Sequence, residues 1–111
     1  MINFIKHKKF FYSGLCALIT VCIVSFGRQF VLLSLLLLSL TSISMIIIDG
    51  NKKSLHLFWA GFILGPLAEA FCIYFGAWQY SNPFVFGIPM YLPFVWGNAT
   101  LFIKRLVYKV D

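Results

Sequence analysis

The sequence predicts an all-α integral membrane protein, with four transmembrane helices in two antiparallel hairpins and one domain over residues 1–111. Three observations carry that prediction. Hydrophobic residues make up 61% of the chain and charged ones 11%, a balance that leaves a soluble domain of this size too little polar surface. Four apolar runs, at about 10–26, 30–48, 55–78 and 87–107, each approach the roughly 20 residues that a spanning helix needs. The runs are continuous rather than alternating, which argues against barrel strands.

The third observation is where the net charge of +6 resides. Lys6, Lys8 and Lys9 precede the first run, Lys52 and Lys53 separate the second from the third, and Lys104, Arg105 and Lys109 close the chain. Only Arg28 lies in the first connection, and the 79–86 loop is uncharged. An even number of spans puts both termini on one side, together with eight of the nine basic residues. The positive-inside rule then makes both termini cytoplasmic, in a multi-pass protein of a bacterial inner membrane. The basic clusters read as topology signals facing lipid headgroups, so the expected partner is the bilayer and not nucleic acid.

The first run follows a basic start, as a signal peptide does, and Ser25 and Gly27 loosely mimic a cleavage site. The run is longer than an ordinary signal core and no Ala-x-Ala follows, so an uncleaved helix is expected. Residues 25–29 form a tight turn into the second run, whose Ser34, Ser39, Thr41, Ser42 and Ser44 are expected to support helix packing. Asp49-Gly50-Asn51 then ends that helix with turn chemistry. Cys16, Cys22 and Cys72 lie inside spans and make no disulfide framework. His7 and His56 belong to no ligand motif, so no metal or cofactor is expected. The sequon Asn98-Ala99-Thr100 falls inside the fourth run, beyond any transferase.

The third run carries the chemistry. Glu69 is the only Glu, and a carboxyl at the bilayer centre costs roughly 2.5–3.5 kcal/mol on insertion scales, so it reads as functional by default. Gly61, Gly65, Glu69, Cys72 and Gly76 recur at three- and four-residue spacing along one helix face. Small residues at such spacing let helices approach closely, so Gly61, Gly65 and Gly76 are expected to form the packing seam with Glu69 turned inward. Pro66 is expected to kink the helix just before Glu69.

The fourth run opens with Pro89 and Pro93, which suit the first turn of a helix. Asn82-Pro83 is a turn, and Trp78 and Tyr80 suit the outer interfacial belt. Counting inward, Glu69 lies about nine residues below Trp78, and Asn98 about ten below Ile88. Equal depth makes Asn98 the expected hydrogen-bond partner of Glu69, with Tyr91 and Trp96 as cavity walls.

Glu69, then Phe75-Gly76-Ala77-Trp78-Gln79-Tyr80, then Gly87-Ile88-Pro89 with Pro93 and Trp96, resembles a pattern in the integral-membrane carotenoid-biosynthesis proteins, which include carotenoid hydratases. The resemblance spans roughly residues 69–98, and Trp78 stands where the family carries Tyr. It implies a protonated intramembrane Glu acting on an isoprenoid or other apolar lipid. Glu69 would be the acid, and an aromatic wall of Tyr91, Trp96 or Trp78 would stabilise a carbocation. Tyr91 and Tyr74 are the candidates for a second acid–base group. Two other readings fit the same residues. One is an accessory subunit that docks in a homo- or hetero-oligomer through its Gly61/Gly65 face. The other is a small proton-coupled transporter, although transporters of this size carry their Glu in the first helix.

Overall fold

A computed structural model describes residues 2–27, 29–80 and 83–107, with side chains from residue 8 onward. Arg28, Asn82, Lys109 and Asp111 lie outside the described residues, as does the expected Asn82-Pro83 turn. Four helices follow in order: α1 (Ile2–Phe26), α2 (Val31–Asp49), α3 (Lys52–Tyr74) and α4 (Leu92–Val107). Among the described residues the structure is all-helical apart from one isolated bridge, Val85 to Ile88. Within α1, the stretch Lys8–Phe26 is long and apolar enough to cross a membrane, as are α2 and α3. Among the described residues the fourth helix has 16, about 24 Å at the usual rise against a roughly 30 Å hydrocarbon core.

Short connections join the first three helices. Gly27 and Ser34 close the first turn, where the Ser34 hydroxyl donates to the Gly27 carbonyl at 2.6 Å. Gly50 and Asn51 alone separate α2 from α3. Asn51 caps α3 by accepting the Ser54 backbone N–H at 2.8 Å, the local bond that makes Asn a preferred helix start. The third helix continues through Pro66 as one element.

Both boundaries around the α3–α4 loop differ from the sequence expectation. The third helix was expected to reach residue 78 and ends at Tyr74. Gly76 adopts φ +84°, its N–H bonds the Ile73 carbonyl, and the Ala77 N–H bonds the Cys72 carbonyl. This paired 5→2 and 6→1 pattern is a Schellman stop, and it needs a residue free to enter the left-handed region. Gly76 is therefore a helix terminator and not part of a packing seam; a Cβ there would touch nothing within 4 Å.

The fourth helix was expected from residue 87 and begins at Leu92. Phe86 and Gly87 both take positive φ, 51° and 82°, between the bridged residues Val85 and Ile88. Two successive positive values make a tight turn of the mirror-image kind, incompatible with a helix start. Pro89 accordingly precedes α4, with the Leu92 N–H bonding its carbonyl, and Pro93 sits in the first helical turn.

The third helix packs most extensively on α4, and α1 packs on α2. Met45, Phe58 and Leu101, from α2, α3 and α4, form the small buried core, with Cys16, Phe62, Phe94 and Phe102 against it. Most large apolar side chains point outward, including Leu32, Leu36, Leu40, Ile47, Leu64 and Leu67. An apolar exterior of that extent fits a lipid surrounding and would be an aggregation surface in water.

Candidate functional site

The seam between α3 and α4 positions the Glu69 site. Gly61 and Gly65 lie against α4: a Cβ on Gly61 would stand 2.0 Å from the Thr100 hydroxyl, and one on Gly65 would stand 2.2 Å from the Trp96 ring. The Thr100 hydroxyl donates to the Trp96 carbonyl at 2.8 Å, and Phe62 meets Phe94 edge-on with ring centroids 5.2 Å apart. On the α4 side, a Cβ on Gly97 would stand 2.4 Å from the Phe58 ring. Close approach at Gly65 brings the Trp96 indole against α3, one turn before Glu69.

Glu69 is half-buried, and both of its carboxyl oxygens are engaged. The Tyr80 hydroxyl donates to Oε1, and the Trp96 indole N–H donates to Oε2. The three residues come from α3, the α3–α4 loop and α4. Burial, followed by the bond to Glu69 and the Glu69 charge, holds the Tyr80 hydroxyl well above the usual tyrosine range; the Trp78 indole N–H opposes this. Tyr91 is buried just ahead of α4, close enough to Tyr80 to act on its ionisation.

Asn98 does not meet Glu69, which corrects the expected pairing. Its Oδ1 accepts from the Ser42 hydroxyl at 2.6 Å, and its Nδ2 donates to the Thr20 hydroxyl at 3.0 Å. Thr20 in turn donates to the Cys16 carbonyl at 2.9 Å. Asn98 thus pins α1, α2 and α4 together at a fully buried point. The physical reason is angular. Two residues along a helix turn by about 200°, so Trp96 and Asn98 cannot both face α3. Depth was matched and direction was not. Tyr74, a candidate second acid–base group, is 83% exposed and makes no contact with Glu69 among those described.

Two shallow grooves flank the site. One of about 380 Å³ runs over Ala60, Leu64 and Ala68 beneath Trp96 and Thr100. Another of about 390 Å³ lies between Phe71, Tyr74 and Phe86. A third groove, of about 420 Å³, separates α1 from α4 beside Thr20 and Asn98.

An ionic cluster that sequence reading missed closes the other end of the seam. Arg105 donates to Asp49 Oδ1 from Nε at 2.6 Å and from Nη2 at 2.5 Å. Lys104 Nζ donates to the Ser54 hydroxyl at 2.6 Å and reaches Asp49 Oδ2 at 3.5 Å. The Ser54 hydroxyl donates to Asp49 Oδ2 at 2.6 Å. All four side chains are buried. Lys104 and Arg105, read from sequence as topology signals, are therefore interior residues. The available signal was Asp49, an acid in the last turn of α2, where the helix dipole disfavours negative charge and a nearby cation is called for. Among the described residues no three His, Cys, Asp or Glu side chains gather into a metal-binding group. No protein-family model, curated protein or solved structure matches the chain.

Proposed function

We propose that the chain is a four-span inner-membrane protein whose Glu69 donates a proton to an apolar lipid of the isoprenoid class. The contacts at the two ends of the seam support the topology. Ser54, early in α3, meets Lys104, late in α4, while Glu69, late in α3, meets Trp96, early in α4. That pairing is what an antiparallel hairpin requires, and the two-residue turn between α2 and α3 supports the same up–down order. Basic residues on the inner side then leave both termini cytoplasmic.

One observation carries the chemistry: the indole N–H of Trp96 can only donate. Oε2 is thereby fixed as an acceptor, and a proton on the carboxyl belongs on Oε1, which then donates to the Tyr80 oxygen in place of accepting from it. Glu69 is in that way an oriented acid with a single proton position. The groove beneath Trp96 runs along α3 to Ala68, next to Glu69, and its small-residue floor suits an extended polyene. Transfer of the Oε1 proton to an alkene carbon leaves a tertiary carbocation, which the face of Trp96 stabilises. Addition of water to the cation and loss of a proton complete a hydration. Attack by a second double bond and loss of a proton complete a cyclisation.

The same geometry favours one other reading, a structural brace, because Glu69 ties the outer loop to both helices. Gln at position 69 separates the two. Its carbonyl can accept from Trp96 and its amide can donate to the Tyr80 oxygen, so both contacts survive while the transferable proton is lost. Expressed in a host that accumulates a C40 polyene, the protein should yield a product one water heavier, or an isomer of equal mass, by mass spectrometry of lipid extracts. Glu69→Gln should fold and yield neither. An unconverted polyene with the wild-type protein overturns the enzyme reading, and full activity in Glu69→Gln makes Glu69 a brace.

A further inference from the structure

An acid that gives up its proton must be reprotonated, by the proton released as product forms or by one from water, and the surroundings of Glu69 leave few routes for either. Between His56 and Glu69, α3 carries no titratable residue, and none lies between Trp96 and Lys104 on α4. The inner ends of these helices therefore offer no side-chain relay toward the site. Oε2 is closed by the donor-only indole of Trp96. Oε1 faces the Tyr80 hydroxyl, which belongs to the loop beyond α3 and is neither fully buried nor fully exposed. Trp78 and Gln79, which precede it in the chain, are exposed.

We propose that Tyr80 is the proton relay of the Glu69 site, passing protons from the outer aqueous boundary to Oε1. Its purpose rests on the acid reading above, while its geometry does not. The step is concerted. A hydronium ion gives a proton to a lone pair on the Tyr80 oxygen as the original Tyr80 O–H bond breaks and that proton joins Oε1. The products are water, an intact tyrosine and a protonated Glu69, so charge and atoms balance and no tyrosinate forms. Rotation of the hydroxyl resets the relay. Neither Tyr74 nor Tyr91 fills this position, since Tyr74 points outward and Tyr91 is enclosed ahead of α4.

Hydrogen–deuterium exchange at the Glu69 carboxyl tests the relay, followed by infrared spectroscopy on the full chain in lipid nanodiscs and assigned by the band lost in Glu69→Gln. Tyr80→Phe should slow that exchange by about tenfold or more, while Trp96→Phe should not slow it. Fluorotyrosine placed at position 80 keeps the ring and the hydroxyl but makes the hydroxyl more acidic. It should change the exchange rate, which keeps the test decisive if Tyr80→Phe folds poorly. Unchanged exchange in both Tyr80 variants, or no exchangeable Glu69 band, overturns the relay. Polyene conversion tells the two proposals apart. Wild-type conversion in Tyr80→Phe sinks the relay and leaves the acid standing. Slowed exchange with no conversion by any variant does the reverse.

Discussion

Trp96 serves two ends with one ring. Its ring lies close against the bare backbone at Gly65, and its indole N–H donates to Glu69. Neither contact is visible in the residue type alone; both follow from Gly65 and Glu69 being four apart on one helix face. Sequence reading found Glu69 and Trp96 but assigned Trp96 to a cavity wall, because depth can be counted along a chain while direction requires the helix phase. Tyr80 was read as an interfacial anchor, and nothing local marks its hydroxyl as a partner from eleven residues away. Its environment gives a pH signature. The folded state holds the Tyr80 proton more tightly than the unfolded state, whose tyrosines release theirs near pH 10. Above that pH the unfolded chain binds fewer protons, so stability contributed below about pH 10 is lost as pH rises. Thermal melts in detergent should fall more steeply from pH 9 to 11 for the wild type than for Tyr80→Phe; parallel pH curves would show that the hydroxyl is not held in this way.

At the scale of elements, the third helix and its small face were legible because small-residue spacing at three and four is a strong periodic signal. The ends of the loop were not. Gly76 continues the spacing of Gly61 and Gly65 but stops the helix, since a glycine in register with a seam and a glycine at a cap look alike in sequence. At the start of α4, the apolar run 83–91 hides a tight turn at Phe86–Gly87, where hydropathy carries no information about φ. The two kinds of glycine should separate under substitution. Gly61→Leu and Gly65→Leu drive a side chain into Thr100 or Trp96 and should prevent stable folding in detergent, as judged by monodispersity and thermal melting. Gly76→Ala meets no neighbour and should cost only about 1 kcal/mol for its left-handed backbone. Phe62→Leu, which keeps most of its apolar volume, should fall between the two classes. Equal tolerance at positions 61 and 76 would remove the seam.

Among the described residues, three polar assemblies bridge different elements. Tyr80, Glu69 and Trp96 join the α3–α4 loop to α3 and α4; Thr20, Ser42 and Asn98 join α1, α2 and α4; Asp49, Ser54, Lys104 and Arg105 join α2, α3 and α4. The apolar core is small, and in lipid the hydrophobic effect drives helix association only weakly, so these contacts carry much of the specificity. The innermost assembly gives the sharpest test. Arg105 is fully buried and Asp49 nearly so, and the two meet as a buried ion pair. Asp49→Asn removes the carboxylate that Lys104 and Arg105 share, and should cost about 3–5 kcal/mol. Arg105→Met leaves Asp49 with Lys104 and Ser54, and should cost less because those two still reach the carboxylate. The double variant, Asp49→Asn with Arg105→Met, removes a compensated pair and should be less destabilised than the sum of the single changes. Unfolding in detergent, measured as a double-mutant cycle, checks this through the sign of the coupling. Strict additivity would mean that the two side chains do not meet, and α4 would then lack the contact that ties its last turn to the junction of α2 and α3.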